Sequence, residues 1–329
     1  MKSLYKDQII IDGLQYCNWN RELLEDAWKG GLTAIHATIA YWENTEESFL
    51  KIKEWKDRIN ENKDIICLAR STKDIIEAKK SNKTAFLFGF QNSAPIANDI
   101  YLLEKFYKDD LRFMQLTYNN QTALGGGCFE KNDSGISRFG YQAIEEMNRL
   151  GIIVDLSHAG KQTCLDAISF SKKPVAISHA NPNFFHNSLR NIDNEVLKNL
   201  ANKDGFIGLS LYPYHLKNNG DCKIEDFCLM IKELINIIGI EHIGIGSDLC
   251  INWPNDVVVW MRNGKWTKKM DYGESKTKSV SWPKQTDWFK KSSDFKNLFD
   301  GMYKIGISEN HIYKILGLNW LEFMKKTID

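Results

Sequence analysis

GIIVDLSHAGKQTCLDAISFSKKPVAISHA, residues 151–180, decides the fold. It contains two short apolar runs, IIVDLSH (152–158) and PVAISHA (174–180), each of which reaches a histidine at or near its end, with a helix-like segment between them. Apolar runs without polar alternation suit strands buried on both faces, as parallel strands covered by helices are. The same rhythm extends in both directions. Upstream lie QIIIDG (8–13), TAIHATIA (33–40), DIICLAR (64–70), TAFLFGF (84–90) and LRFMQLTY (111–118); downstream lie GFIGLSLY (205–212) and HIGIGSD (242–248). Helix-like stretches fill the gaps, one opening with Ser71, Thr72 and Asp74 and another covering 139–150, while Gly30-Gly31, Gly151, Pro174, Gly205 and Gly239 mark the joints. Such alternation specifies a parallel sheet. About eight principal strand–helix units without a break favour closure into a (β/α)8 barrel over an open sheet. The 329 residues suit one such domain, which needs ~250 residues plus loops.

The bulk chemistry narrows the function. Lys+Arg 43 against Asp+Glu 42 leaves a net charge of +1, and no basic stripe interleaved with aromatics is present, which argues against a nucleic-acid partner. No G-x-G-x-x-G follows the first strand and no Walker sequence occurs, so nucleotide-binding versions of the α/β plan lose support. The Gly125–Gly127 triplet reads as a flexible loop. Seven scattered cysteines, none in a C-x-x-C pair, read as reduced thiols. The Ile9–Ile11 run is too short for a signal-peptide core, and no apolar stretch approaches the ~18 residues of a membrane span. The expectation is a cytoplasmic protein with no membrane partner.

One segment breaks the rhythm. From about 250 to 292, after the last barrel strand, the chain is rich in Trp, Lys and Asp without clear periodicity. Trp253, Trp260, Trp266, Trp282 and Trp288 argue for an ordered insertion, either a lid over the site or an interface with a second subunit. Helices from about 294 to 327 close the chain.

In a barrel, reacting groups sit where strands end and loops begin. His158 follows IIVDLS, His179 follows PVAIS, Asp248 follows IGIGS and Gln91 follows FLFGF. A lone histidine at a strand end is usually a satisfied structural residue. Two on consecutive strands, with an aspartate at the last, can hold a zinc ion through neutral imidazoles and leave a carboxylate for proton transfer. Tyr16, Tyr118 and Asn119 stand nearby as donors to a substrate or as lining and loop residues. His186 and His215 read as solvated loop residues, Cys17 as an inert thiol, and Asp155 as structural.

LRFMQLTYNN, GYQAIEEMNRLGIIVDLSHAG, PVAISHANPNFFHNSLRNI, HIGIGSD and the closing GLNWLEFM together resemble the membrane (renal) dipeptidase family of the amidohydrolase superfamily, from Asp12 to about Phe323. The resemblance implies a (β/α)8 barrel, a homodimer, and two bridged zinc ions that hydrolyse dipeptides. Within it His158 and His179 match the ligands of one zinc, Arg190 matches the arginine that holds the substrate carboxylate, and Asp248 matches the proton-handling aspartate. The other half departs: Leu14 and Tyr16 occupy the His-x-Asp ligand positions, Gln91 the bridging glutamate, and Tyr118 the histidine that polarises the substrate.

Charge decides what this departure means. Two zinc ions bring four positive charges, and Leu14, Tyr16 and Gln91 supply no carboxylate to offset them; tyrosine titrates near ~10. Two dications without bridging anions repel strongly in a low-dielectric pocket. The expectation is therefore at most one Zn2+, held by His158, His179 and a third group such as Asp248 or Gln91, or a metal-free pocket. Three functions follow: a divergent hydrolase or lyase for a small carboxylate-bearing, amino-acid-derived substrate; a conventional zinc dipeptidase with other ligands; or a non-catalytic small-molecule-binding protein on an enzyme scaffold.

Overall fold

The computed structural model describes residues 7–264 and 281–329. Among them nine strands form one parallel sheet: β1 (Ile11–Gln15), β2 (Ala34–Ala40), β3 (Ile66–Leu68), β4 (Thr84–Phe90), β5 (Leu111–Gln115), β6 (Ile153–Asp155), β7 (Ala176–Ala180), β8 (Phe206–Leu209) and β9 (Ile243–Ile245). Eight of them run round the barrel as β1-β2-β4-β5-β6-β7-β8-β9. The short β3 pairs with Thr84–Phe86, on the N-terminal half of β4, and β5 pairs with Phe88–Phe90 farther along. The barrel closes just beyond β9, where Asp248 N–H donates to the Leu14 carbonyl and Tyr16 N–H to the Leu249 carbonyl, both at 3.0 Å.

Helices α1 (Arg21–Lys29), α2 (Thr45–Glu61), α3 (Thr72–Lys80), α4 (Tyr101–Lys108), α5 (Arg138–Leu150), α6 (Lys161–Phe170), α7 (Asn194–Asn202) and α8 (Ile224–Ile238) lie between successive strands. Local chemistry sets their starts. Asn44 and Glu47 form a reciprocal cap on α2, and Ser71 and Asp74 do the same on α3, which satisfies N–H groups that a helix leaves open. The apolar stripe of α5, including Ala143, Ile144 and Met147, is buried.

The foot of the barrel is plugged from the C-terminus. After α9 (Asn255–Asn263), the chain forms α10 (Phe295–Lys304), α11 (Glu309–Tyr313) and α12 (Asn319–Thr327). Trp320 of α12 is fully buried, packs on Phe206 at 4.3 Å between ring centroids, and donates Nε1–H to the Ile245 carbonyl at 2.8 Å. Gly13 is required here, because a Cβ on it would stand 2.2 Å from the Trp320 ring. The closing GLNWLEFM segment is therefore part of the barrel core.

Described parts of the insertion pack on the chain's own barrel and on one another. Trp253 donates to the Tyr16 carbonyl at 3.0 Å, Trp288 to the Cys222 carbonyl at 2.8 Å, and Trp282 to the Pro254 carbonyl at 3.2 Å. The segment also contains a helix, α9, which the aperiodic reading did not anticipate; Trp266 lies outside the described residues. All seven cysteines are free. Among the described residues no helix is long and apolar enough to cross a membrane.

Candidate active site

A polar layer lies within the barrel, between the Trp320 plug and the strand ends. Asp155, fully buried at the end of β6, accepts from Ser157 N–H (3.0 Å), Ser157 Oγ–H (2.9 Å), Ser178 N–H (2.9 Å), Ser178 Oγ–H (2.5 Å) and Gln115 Nε2–H (3.2 Å). Across the barrel, Asp12 accepts from Ser247 N–H at 2.7 Å, Ser247 Oγ–H at 2.5 Å and Gln15 Nε2–H at 2.8 Å. Burial nevertheless outweighs these donors and pushes Asp12 up to about 6. Asp155 is structural, as expected, and its partners are serines and a glutamine.

This layer fixes the histidines above it. A serine hydroxyl has one proton, and Ser178 gives its proton to Asp155, so toward His179 it can only accept. The Ser178 Oγ···His179 Nδ1 contact of 2.8 Å therefore places the ring proton on Nδ1 and leaves Nε2 as a lone pair. His158 is tied in the same sense: its Nδ1 lies 2.5 Å from Asn119 Oδ1, an acceptor. The two Nε2 atoms face each other at 3.0 Å. Burial holds both imidazoles well below the usual histidine range, reinforced by the nearby Arg190 guanidinium. Tyr118 stacks on the His158 ring at 4.2 Å between centroids and 24° between planes.

Backbone geometry marks two of the strand-end residues. His158 has φ +66° and Asp248 φ +54°, in the left-handed region that side chains other than glycine rarely enter. Such a conformation costs of order 1–3 kcal/mol and persists where surrounding structure fixes it. Here Cys128 N–H donates to the His158 carbonyl at 2.8 Å, and Asp248 N–H makes the barrel-closing bond to Leu14. These turns aim both side chains at one cavity of about 570 Å³, counting its solvent-open part, which Gln91, Tyr118 and Asn119 also line.

The remaining expected residues fall elsewhere. Tyr16 does not line this cavity; its hydroxyl lies 3.1 Å from that of Tyr41, its ring stacks on Trp253, and Tyr41 packs between it and Tyr118. Of its two readings, substrate donor or pocket lining, neither is met at this cavity, because Tyr16 packs on Tyr41 and Trp253 outside its lining. Asn119 lines the cavity but turns its Oδ1 to His158, so it positions that ring. Gln91 donates Nε2–H to Thr38 Oγ1 at 2.7 Å. Arg190 is 1% exposed, donates Nη2–H to the His179 carbonyl at 2.9 Å, and is not among the residues that line this cavity.

His215 overturns the solvated-loop reading. It is buried in the turn Pro213–His215, bonds Ser210 Oγ through Nδ1 at 2.7 Å, and lines the cavity with Tyr212 and Tyr214. A third histidine following a third consecutive strand was the available signal. Val258, Met261 and Arg262 of α9 also line the cavity, at the i, i+3, i+4 spacing of one helix face. Arg262 carried no sequence signal of this role.

The donor set fits one metal ion better than two. Lone pairs from two imidazoles on one tetrahedral zinc stand about 3.3 Å apart, given Zn–N bonds of about 2.0–2.1 Å. The 3.0 Å separation is close to that, and the Nδ1 partners orient both rings as outer-shell acceptors do. A bridged pair does not fit: Leu14 is apolar and fully buried, Tyr16 is engaged with Tyr41, and Gln91 carries no charge. Among the described residues, no third His, Cys, Asp or Glu side chain joins the two imidazoles in a metal-binding cluster.

An eight-strand parallel barrel that raises two imidazoles and a carboxylate at its strand ends is a barrel of the amidohydrolase type. The chain belongs to the membrane dipeptidase family (Peptidase family M19), whose model matches residues 18–255. It is similar to an uncharacterized dipeptidase of Schizosaccharomyces pombe, 32% identical over 53% of this chain and 44% of that one. A dipeptidase of Claviceps purpurea is 24% identical over 80% of this chain and 55% of its own. The chain thus spans about half the length of these curated relatives. The crystal structure of an amidohydrolase from Pseudomonas aeruginosa superposes with a TM-score of 0.94 at 35% identity, covering 99% of this chain and 98% of that one.

Proposed function

We propose that this protein hydrolyses a small, amino-acid-derived substrate bearing a carboxylate, with at most one divalent ion on His158 and His179. The observation that carries the reading is the convergence of two Nε2 lone pairs, 3.0 Å apart, beside a cavity lined by Asp248. A bound ion would supply Lewis acidity and lower the pKa of a coordinated water. Asp248 takes the proton of the attacking water and returns it to the leaving amine. Tyr118 and Asn119 hold the His158 ring, Ser178 holds His179, and Val258 and Met261 cover the mouth and limit water entry. Arg190, bonded to the His179 carbonyl, contributes positive potential that favours an anionic substrate. The homodimer implied by the family is part of the same proposal, and sedimentation would read it.

The test is turnover of a panel of dipeptides and N-acyl amino acids with and without added zinc, together with zinc per chain. Activity with about one ion per chain is the expected result. Asp248→Asn should lower kcat by 10²-fold or more, the scale of a lost general base, while ligands still bind. Two ions per chain with brisk dipeptide turnover would establish a conventional dipeptidase instead. Tight carboxylate binding with no turnover, unaffected by Asp248→Asn, would establish a binding protein on an enzyme scaffold.

A further inference from the structure

We propose that His215 is a further catalytic residue, whose Nε2–H stabilises the negative charge that develops on the substrate carbonyl oxygen. This rests on the hydrolysis proposed above and adds the hydrogen-bond donor that an oxyanion requires.

The tautomer of His215 follows from Ser210. That serine is fully buried, and its Oγ accepts the Tyr212 N–H at 3.2 Å. Its own proton needs an acceptor, because buried hydroxyls are hydrogen-bonded. Among the described residues the acceptor it meets is His215 Nδ1, 2.7 Å away. Ser210 therefore donates to Nδ1, and the neutral ring carries its proton on Nε2. His158 and His179 have the opposite tautomer, with Nδ1 protonated and Nε2 a lone pair. Two imidazoles thus offer lone pairs suited to an ion, and the third offers a proton suited to an oxygen.

Buried amides fix the third ring. Asn181 Oδ1 accepts the Ser210 N–H at 3.1 Å, and its Nδ2–H donates to the Ser210 carbonyl at 2.9 Å. The His215 carbonyl accepts from Asn181 Nδ2–H at 3.2 Å and from Asn191 Nδ2–H at 3.0 Å. With that carbonyl and Nδ1 both held, the Nε2 edge faces the cavity that His215 lines with His158 and Asp248.

The step needs no proton transfer at His215. Water attacks the substrate carbonyl carbon and gives its proton to Asp248. As the C–O bond forms, the carbonyl π pair moves onto oxygen, which accepts from Nε2–H. Collapse of the oxyanion breaks the C–N bond, and the amine leaves with the proton from Asp248. Charge strengthens the hydrogen bond as it develops, so an oxyanion outcompetes a neutral acceptor at Nε2.

Two measurements test this. Imidazole nitrogen NMR of the full chain near pH 7.5 should place the ring proton of His215 on Nε2 and those of His158 and His179 on Nδ1. Kinetics on a glycyl or alanyl dipeptide that the wild type hydrolyses should show His215→Phe lowering kcat about 10²- to 10³-fold, with KM changed by less than about threefold. A phosphinate analogue of that dipeptide should bind more weakly by a similar factor, since it resembles the transition state. His215→Gln, which restores an N–H donor and serves if the Phe variant folds poorly, should recover part of both losses. A His215 proton on Nδ1, or wild-type kcat in the Phe variant, overturns the assignment and leaves the hydrolysis reading standing. A wild type that hydrolyses no dipeptide or N-acyl amino acid overturns both.

Discussion

Ser178→Ala tests the linkage between the polar layer and the histidines. The Ser178 hydroxyl is the sole relay in the chain Asp155–Ser178–His179: it donates to Asp155 at 2.5 Å and accepts from His179 Nδ1–H at 2.8 Å. Alanine leaves Asp155 four of its five donors, so the carboxylate remains well held. His179, 0% exposed, loses the acceptor for a buried N–H. An unsatisfied buried donor costs about 1–3 kcal/mol. For 329 residues the unfolding entropy is about 0.7 kcal/mol/K, so a 2 kcal/mol loss lowers Tm by about 3 °C.

The effect on metal affinity should be larger than that on stability. Without Ser178 Oγ nothing favours the Nδ1–H tautomer, and the ring can rotate. Loss of an outer-shell partner typically weakens metal affinity 10- to 100-fold. Competition with a chromophoric chelator near pH 7.5 measures zinc affinity, and scanning calorimetry measures Tm on the same preparations. A Tm lowered as expected with zinc affinity unchanged within twofold would refute the reasoning, because the hydroxyl would then not set the ligand atom of His179. A wild type with no measurable zinc affinity would refute the single-ion reading itself.

Gly13→Ala should destabilise the barrel without touching the site. Its added Cβ meets the Trp320 ring at 2.2 Å, and overpacking of this kind costs about 1–3 kcal/mol, which thermal unfolding would show as a Tm lower by roughly 2–4 °C; an unchanged Tm would mean that Trp320 does not fill the foot of the barrel. Asp12 gives a pH dependence. Its folded pKa, about 6, lies above its unfolded value near ~3.9, so the folded state holds the proton more tightly. The stabilisation is complete below about pH 4 and is lost as pH rises through about 6, roughly 3 kcal/mol in total and about 1 kcal/mol of it between pH 5 and 7. His158 and His179 act oppositely: their folded pKa values are depressed, so stability falls as pH drops below about 6.5. Denaturant unfolding of wild type and Asp12→Asn at pH 5 and 7 separates the two effects, since the variant lacks only the Asp12 contribution; identical pH slopes would show that Asp12 does not titrate in that range.

What could be read from the chain, and what could not, follows from the kind of signal each feature leaves. Barrel strands are buried on both faces and so appear as unbroken apolar runs; eight of the nine strands fall inside such runs, β1 overlaps its run at Ile11–Gly13 and extends two residues past it, and the partial pairing of β3 is a property of the folded sheet. The strand-end positions of His158, His179 and Asp248 were legible because strand ends are fixed by the same pattern. The left-handed backbone at His158 and Asp248 was not, since neither position is a glycine. The place of Tyr16 was not legible, because counting from a strand end gives sequence distance, whereas Tyr41 intervenes in space. His215 was missed because the turn at Pro213 folds it back toward the strand it follows. The lining residues Val258, Met261 and Arg262 left the weakest trace, because they come from an aperiodic insertion. The barrel floor is thus recorded in local patterns that one chain displays. The cavity lining above it depends on where a long insertion lands, and that placement is a property of the folded molecule.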